Sequence, residues 1–167
     1  GKKTTDRLFD LAVRLSEAEM SKGVTLSVQS TEPHVLDVVK RRNTPKDELV
    51  RLINGYKALN VPTYTEIILG LPGETYDSFV DGLDTLFECG QHDGINIYPL
   101  IILNNSELNQ PAYRVEHGLE TITLPMMLLH GSPVDDDPAP EKYDLVVSTA
   151  TMPHTDWKRA LIMGWII

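Results

Sequence analysis

The chain has 167 residues, of which 41% are hydrophobic and 23% charged, as is typical of one globular domain or part of a larger one. A formal net charge of −9 argues against nucleic acid as a partner, because phosphate backbones are bound mainly by Lys and Arg. No hydrophobic run is long enough to span a membrane, no signal peptide opens the chain, and the only cysteine is Cys89. One cysteine excludes an internal disulfide and a site with several thiolates, and we expect a cytoplasmic location.

Helical and extended patterns alternate from the start. Hydrophobic residues at helical spacing predict a helix from Asp6 to Met20, and alternating residues predict a strand over 24–29. A second helix is expected to begin at Pro33, where a proline removes no intrahelical hydrogen bond. A third is expected to have Thr44 as its N-cap and to stop at Asn60.

The next segment, TYTEIILGLPGET, is rich in β-branched residues and then breaks on a glycine-rich turn. It predicts a strand beginning at Thr63, with the carboxylate of Glu66 inside an otherwise apolar run. A helix over 75–89 follows, with a hydrophobic face that includes Leu86 and Phe87. The run INIYPLIIL, from Ile95, is almost continuously apolar and predicts a strand that is buried on both faces.

Strands near residues 24, 63 and 95, separated by helices, predict an α/β fold with a parallel sheet and right-handed crossovers. Ligands of such sheets bind at the carboxyl ends of the strands. Beyond residue 108 the pattern is less regular. We therefore divide the chain into 1–108 and a C-terminal extension, 109–167, with an acidic Pro-rich linker over 131–140, one strand and a final helix capped by Thr155.

Three motifs carry a resemblance to a known family: SVQSTEPHVLDVVKRRN, TEIILGLPGET and INIYPLIILNNSEL. In this order and spacing they resemble the second half of the partial (β/α)6 barrel of radical S-adenosylmethionine (SAM) enzymes, a TIM-like barrel. The resemblance covers residues 24–108. The segment TATMPHTDW further resembles the C-terminal region of the cobalamin-binding branch, through a shorter match.

The resemblance implies a set of cofactor-binding residues. In the related oxygen-independent coproporphyrinogen oxidases, a Gln, an Arg and an acid hold the ribose and methionyl parts of SAM, and this pattern falls on Gln29, Arg41 and Glu66. The turn that begins at Gly70 and the next strand, around Ile97 and Tyr98, would border the adenine. A carboxylate and an amide together offer the acceptors and donors that a ribose diol needs.

The family also uses a [4Fe–4S] cluster held by a CxxxCxxC motif, and the chain has no such motif. The resemblance therefore implies a fragment whose full-length parent binds the cluster, cleaves SAM reductively and abstracts hydrogen from a substrate. The fragment alone is expected to be inactive, with no metal ligands of its own. The resemblance leaves open whether cobalamin is a further cofactor and which small-molecule or macromolecular substrate the parent uses.

Other interpretations of the same residues stay open. Glu66 could pair with a neighbouring cation, Gln29 could be an ordinary polar residue at a strand end, and Arg41 could be a solvated residue at a helix end. As a whole, the chain could be a non-catalytic α/β module that binds a nucleoside-like ligand or a protein partner. A half-barrel without its N-terminal half also exposes strand edges, so we expect self-association.

Overall fold

The computed structural model describes residues 6–125 and 141–166. Within these ranges the helices are α1 (Asp6–Glu17), α2 (Pro33–Val38), α3 (Lys46–Ala58), α4 (Tyr76–Glu88), α5 (Pro111–Glu116) and α6 (His154–Gly164), with a 3₁₀ turn at Glu107–Asn109. The strands are β1 (Val24–Gln29), β2 (Thr63–Leu69), β3 (Ile95–Pro99), β4 (Ile101–Ile102), β5 (Glu120–Pro125) and β6 (Lys142–Ser148). No helix in the described ranges has the length and hydrophobicity needed to cross a membrane.

The first sheet has the order β1-β2-β3, and both of its pairings are parallel. Helices α2 and α3 connect β1 to β2, and α4 connects β2 to β3. These are the strand–helix units of an α/β fold, so the predicted fold class is confirmed.

Strand β2 lies in the middle of this sheet and is buried on alternate residues. Thr63, Thr65, Ile67 and Leu69 are buried, whereas the residues between them are only half-buried. Successive side chains of a strand point to opposite faces, so β2 has one core face and one open face.

The main hydrophobic core lies on the core face of the first sheet. It joins Ile67 and Leu69 of β2 to Phe79, Leu83 and Leu86 of α4, and it also contains residues from α3 and α6. The contribution of α6 includes Trp157 and Ala160, which are buried in this cluster. The last described helix therefore packs on the sheet formed by the first hundred residues.

Strands of the C-terminal part form a second, antiparallel sheet with the order β4-β6-β5. The sequence predicted β6 and missed β5, whose side chains are mostly exposed and give little hydrophobic signal. The acidic linker expected over 131–140 lies outside the described residues. The division at residue 108 stays a prediction.

Two predicted helix caps are wrong. Pro45 rather than Thr44 is the N-cap of α3, and Pro153 precedes α6, which places Thr155 inside the helix. Both prolines have the extended backbone of an N-cap, with φ of −54° and −57°, and neither helix has a side-chain cap hydrogen bond. The fixed φ of proline supplies the entry geometry without a hydroxyl.

The strand predicted from Ile95 is also different from the expectation. It breaks at Leu100, because its second part, β4, pairs with β6 in the other sheet. Strand β3 is an edge strand of the described first sheet, and Tyr98 on it is 51% exposed. Within the described residues the prediction of burial on both faces is therefore wrong.

Adjacent residues of α4 provide a test of the packing. Leu86 is fully buried in the main core, whereas Phe87, assigned to the same face from the sequence, is 37% exposed and stacks on His92. We expect Leu86→Ala to lower the free energy of unfolding by about 2–5 kcal/mol, and Phe87→Ala to lower it by less than about 1 kcal/mol. Chemical denaturation of both variants checks this, and equal losses would contradict the assigned core.

Candidate functional site

The centre of the candidate site is Glu66, on the open face of β2. In the parallel register it lies opposite Ser27 of β1 and Asn96 of β3, so one polar row crosses all three strands. The Ser27 hydroxyl donates a hydrogen bond to Glu66 Oε2 over 2.9 Å, and Oε1 makes no hydrogen bond to the described residues. The carboxylate is half-buried, and it keeps acceptor capacity for a ligand.

Gln29 lies one step further toward the carboxyl end of the sheet, where it pairs with Ile67. A bulge between Ser27 and Gln29 interrupts the simple alternation, and Gln29 has a φ of 61°, which is uncommon for a residue other than glycine. Gln29 contributes to the lining of a small cavity on the Ile67 side of the sheet. The structure thus brings Gln29 and Glu66 to neighbouring positions of adjacent strands, but Gln29 lines a cavity on the core side of the sheet, whereas Glu66 lies on the open face.

Arg41 is not brought to Glu66. Helix α2 ends at Val38, Lys40 has a left-handed φ of 53°, and Arg41 lies exposed in the connection to α3. None of the described ion pairs joins Arg41 to Glu66. The strand tolerates Glu66 because the open face of β2 reaches solvent.

The remaining predicted residues lie on different sides of the sheet. Gly70 has a φ of +91°, which favours glycine, and a Cβ there would lie 3.3 Å from Trp157 Nε1 in the core. Ile97 packs against Gly164 of α6, also on the core side. Tyr98 lies on the open face, because its partner in β2, Ile68, is two residues from Glu66. Of this group, Tyr98 shares a face with the carboxylate.

Sequence analysis missed a second carboxyl group, that of Glu74, in the turn that follows β2. Glu74 is 2% exposed, and its Oε1 accepts a hydrogen bond from Ser30 Oγ over 2.8 Å. Burial raises the pKa of Glu74 to about 8, against the lowering effect of the Ser30 bond, and the nearby Glu32 raises it further. At neutral pH the group is therefore a neutral acid, which can both donate and accept hydrogen bonds.

Two known proteins are similar to this chain in sequence. Over 156 residues, 93% of the chain, it is 39% identical to the cobalamin-dependent radical SAM methyltransferase TokK of Streptomyces tokunonensis. Over the same length it is 36% identical to 2-(S-pantetheinyl)-carbapenam-3-carboxylate methyltransferase of Streptantibioticus cattleyicolor. The chain is therefore similar over most of its length to a segment of a radical SAM methyltransferase. It spans 23% of the length of each of these two relatives, so it corresponds to one segment of such an enzyme.

A solved structure is also similar to part of this radical SAM segment. Coproporphyrinogen III oxidase (HemN) from Escherichia coli, described as a radical SAM enzyme, is 21% identical, with a TM-score of 0.44. The match covers 59% of this chain and 22% of that one. No family model matches the chain.

A metal centre in this segment would need several ligating side chains close together. In residues 6–125 and 141–166 there is no group of three or more His, Cys, Asp or Glu side chains that could hold a metal ion. Cys89, the only cysteine, is buried at the end of α4. A chain with one cysteine cannot supply the three thiolates of a CxxxCxxC cluster motif.

The buried acid gives a pH-dependent stability. The pKa of Glu74 is about 8 in the folded chain and 4.5 in the reference state, so the folded state binds one more proton between these values. The stabilising effect of that proton is complete below about pH 4.5 and is lost as the pH rises to about 8. Relative to Glu74→Gln, the free energy of unfolding should therefore fall by up to roughly 1.4 kcal/mol per pH unit in this window. Chemical denaturation of both proteins at pH 5, 6, 7 and 8 checks this prediction. If the free energies of unfolding of the two proteins differ by the same amount at every pH, Glu74 is ionised in the folded chain.

Proposed function

We propose that the full-length protein is a cobalamin-dependent radical SAM methyltransferase and that this chain forms part of its SAM-binding wall. The observation that carries the proposal is the carboxylate of Glu66 on the open face of the central strand, in a segment shared with two relatives named as methyltransferases. In both relatives the shared segment is less than a quarter of the enzyme, and it is found in both at similar identity.

The chemistry of the open face supports this assignment. Ser27 Oγ holds one oxygen of Glu66 and leaves the other for a hydroxyl donor, as a ribose diol requires. Tyr98, 51% exposed on the same face, offers an aromatic surface beside this carboxylate. Gln29, at the end of β1, and Arg41, in the α2–α3 connection, are also selected by the family pattern and would complete the site at the carboxyl edge of the sheet. When bound, SAM supplies the sulfonium whose reductive cleavage begins radical chemistry.

The other cofactors belong elsewhere in the proposed enzyme. A [4Fe–4S] cluster and cobalamin would be held by parts of the full-length protein outside this chain, since the described residues have no metal-ligand group. Such an enzyme would work in the cytoplasm, where thiolate ligands stay reduced.

The proposal is tested at Glu66. Loss of a hydrogen bond to a charged group costs roughly 1.5–3 kcal/mol. In the full-length protein, Glu66→Gln should therefore weaken SAM binding about tenfold or more, with an unchanged melting temperature. Equilibrium dialysis with SAM gives the affinities, and Asp84→Asn, which removes an exposed charge from α4, is the matched control. If Glu66→Gln binds SAM as tightly as the control, the carboxylate is not a SAM ligand.

A groove beside β1 supports a second part of the proposal, the contact with the remaining protein. The far edge of β1 is unpaired among the described strands, and a groove of about 480 Å³ lies along it between α1 and α3. Leu8 and Leu11 line this groove and are 42% and 50% exposed. We place the N-terminal half of the barrel here, because a parallel strand would pair with the free edge while its helix would cover the leucines.

The isolated 167-residue chain lacks that cover, so we expect it to self-associate through the groove. Sedimentation velocity should show concentration-dependent dimers or larger species. Leu11→Glu should lower this association at least fivefold, whereas Val115→Glu, at an 82% exposed position on α5, should leave it unchanged. A wild-type chain that stays monomeric at high concentration, or equal effects of the two substitutions, would contradict the role of the groove.

A further inference from the structure

Three loops at the carboxyl edge of the first sheet meet at one buried residue, Ser30, which is 4% exposed and directly follows Gln29. Its hydroxyl donates to Glu74 Oε1 over 2.8 Å and accepts from the backbone N–H of Glu32 over 3.2 Å. Its carbonyl accepts a hydrogen bond from the side-chain amide of Asn43. Ser30 thus connects the end of β1 to the turn after β2 and to the α2–α3 connection.

The loops joined in this way are the ones that carry the sequence-predicted SAM residues. Gln29 precedes Ser30, Arg41 lies two residues before Asn43, and the turn that begins at Gly70 ends at Glu74. Asn43 and Glu74 lie within the motifs that carry the resemblance, but neither is among the SAM residues assigned from it. Their bonds to Ser30 are made across the fold, between residues separated by 44 and 13 positions.

The hydrogen-bonding network around Ser30 is buried, and some of its acceptor atoms have no partner among the described residues. Glu74 Oε2 and Asn43 Oδ1 are buried without a hydrogen-bond partner in the described part of the chain. Glu74, with Gln29 and Phe79, lines a cavity of about 10 Å³, close to the smallest volume that holds one water molecule. A fourth segment joins it, since Thr151 Oγ1 donates to the Glu74 carbonyl over 2.7 Å.

A purely structural role would not need an acid at this position. Burying a carboxyl group costs free energy that an apolar side chain of similar size would avoid, so the hydrogen bonds of this group favour a geometric role. The backbone conformation of Gln29 is the feature that these hydrogen bonds hold in place. Its φ of 61° persists only where the surroundings hold it, and the bonds of Ser30 are the constraint beside it.

We propose that Glu74 and Asn43 are positioning residues that hold, through Ser30, the three strand-end loops in the arrangement that binds SAM. This inference rests on the proposed function. Glu74 and Asn43 need not touch SAM; they fix the backbone of the loops from which Gln29 and Arg41 reach it. The hydroxyl and carbonyl of Ser30 are the shared contact, so the contributions of Glu74 and Ser30 should be coupled.

The experiment uses the full-length protein with four variants: Glu74→Leu, Glu74→Gln, Ser30→Ala and the double variant Glu74→Leu/Ser30→Ala. The dissociation constant of SAM is measured by equilibrium dialysis, and amide hydrogen exchange of residues 29–31 is measured without SAM. Asp84→Asn is the control in both measurements.

We expect Glu74→Leu and Ser30→Ala each to raise the dissociation constant about tenfold, and the double variant to be no weaker than the worse single variant. Glu74→Gln keeps the shape and the hydrogen bond, and should recover affinity to within about threefold of wild type. Exchange of residues 29–31 should be at least tenfold faster with Leu or Ala, and restored toward wild type with Gln.

Unchanged SAM affinity in Ser30→Ala, or a Gln variant as weak as the Leu variant, would overturn the positioning role. Ser30→Ala decides the question if Glu74→Leu does not fold, because it removes only a hydroxyl. If the wild-type protein binds no SAM, the proposed function is wrong. Hydrogen exchange then decides the inference separately, and unchanged protection of residues 29–31 in Ser30→Ala would refute it.

Discussion

The parallel pairing of β2 on both of its edges is the constraint on which the other features depend. Its register places Glu66 between Ser27 and Asn96 and at the same time places Ile67 and Leu69 in the core. A shift of one residue would reverse both assignments and bury the carboxylate among the side chains of α4. The polar row and the hydrophobic core are therefore two results of one pairing.

The two carboxyl groups that flank the end of β2 have opposite surroundings. Glu66 lies on the open face next to a hydroxyl donor, whereas Glu74 is enclosed by the loops and helix at the end of the sheet. Desolvation disfavours the charged form of the enclosed group, which makes it suited to fixing a conformation by hydrogen bonds. The accessible group is suited to ligand contact. Within one short segment, the accessible Glu66 is thus suited to binding a ligand and the buried Glu74 to holding the loops.

The regular part of the fold could be predicted from local patterns, because hydrophobic periodicity is a local property. The strand over 24–29 has the bounds that were predicted, and the helix after Gly73 begins within one residue of its predicted start. Helix caps could not be assigned from local sequence, since a threonine and a proline lie next to each other before α3 and two positions apart at the start of α6, and either can start a helix. Glu74 could not be found at all: a Glu before a helix ordinarily indicates an exposed first turn, and its burial results from residues distant in sequence.

The contact between Gly164 and Ile97 has a consequence for recombining this segment with its relatives. A Cβ at position 164 would lie 2.5 Å from Ile97 Cδ1, so a larger residue there would force the Ile97 side chain to move. Trp157 and Met152 enter the same core from the C-terminal part. A chimera joined near residue 108 would take the two sides of this core from different parents, and each side would meet side chains of another shape. Exchange of the whole segment, with α6 and the first sheet from one parent, keeps the complementary surfaces together.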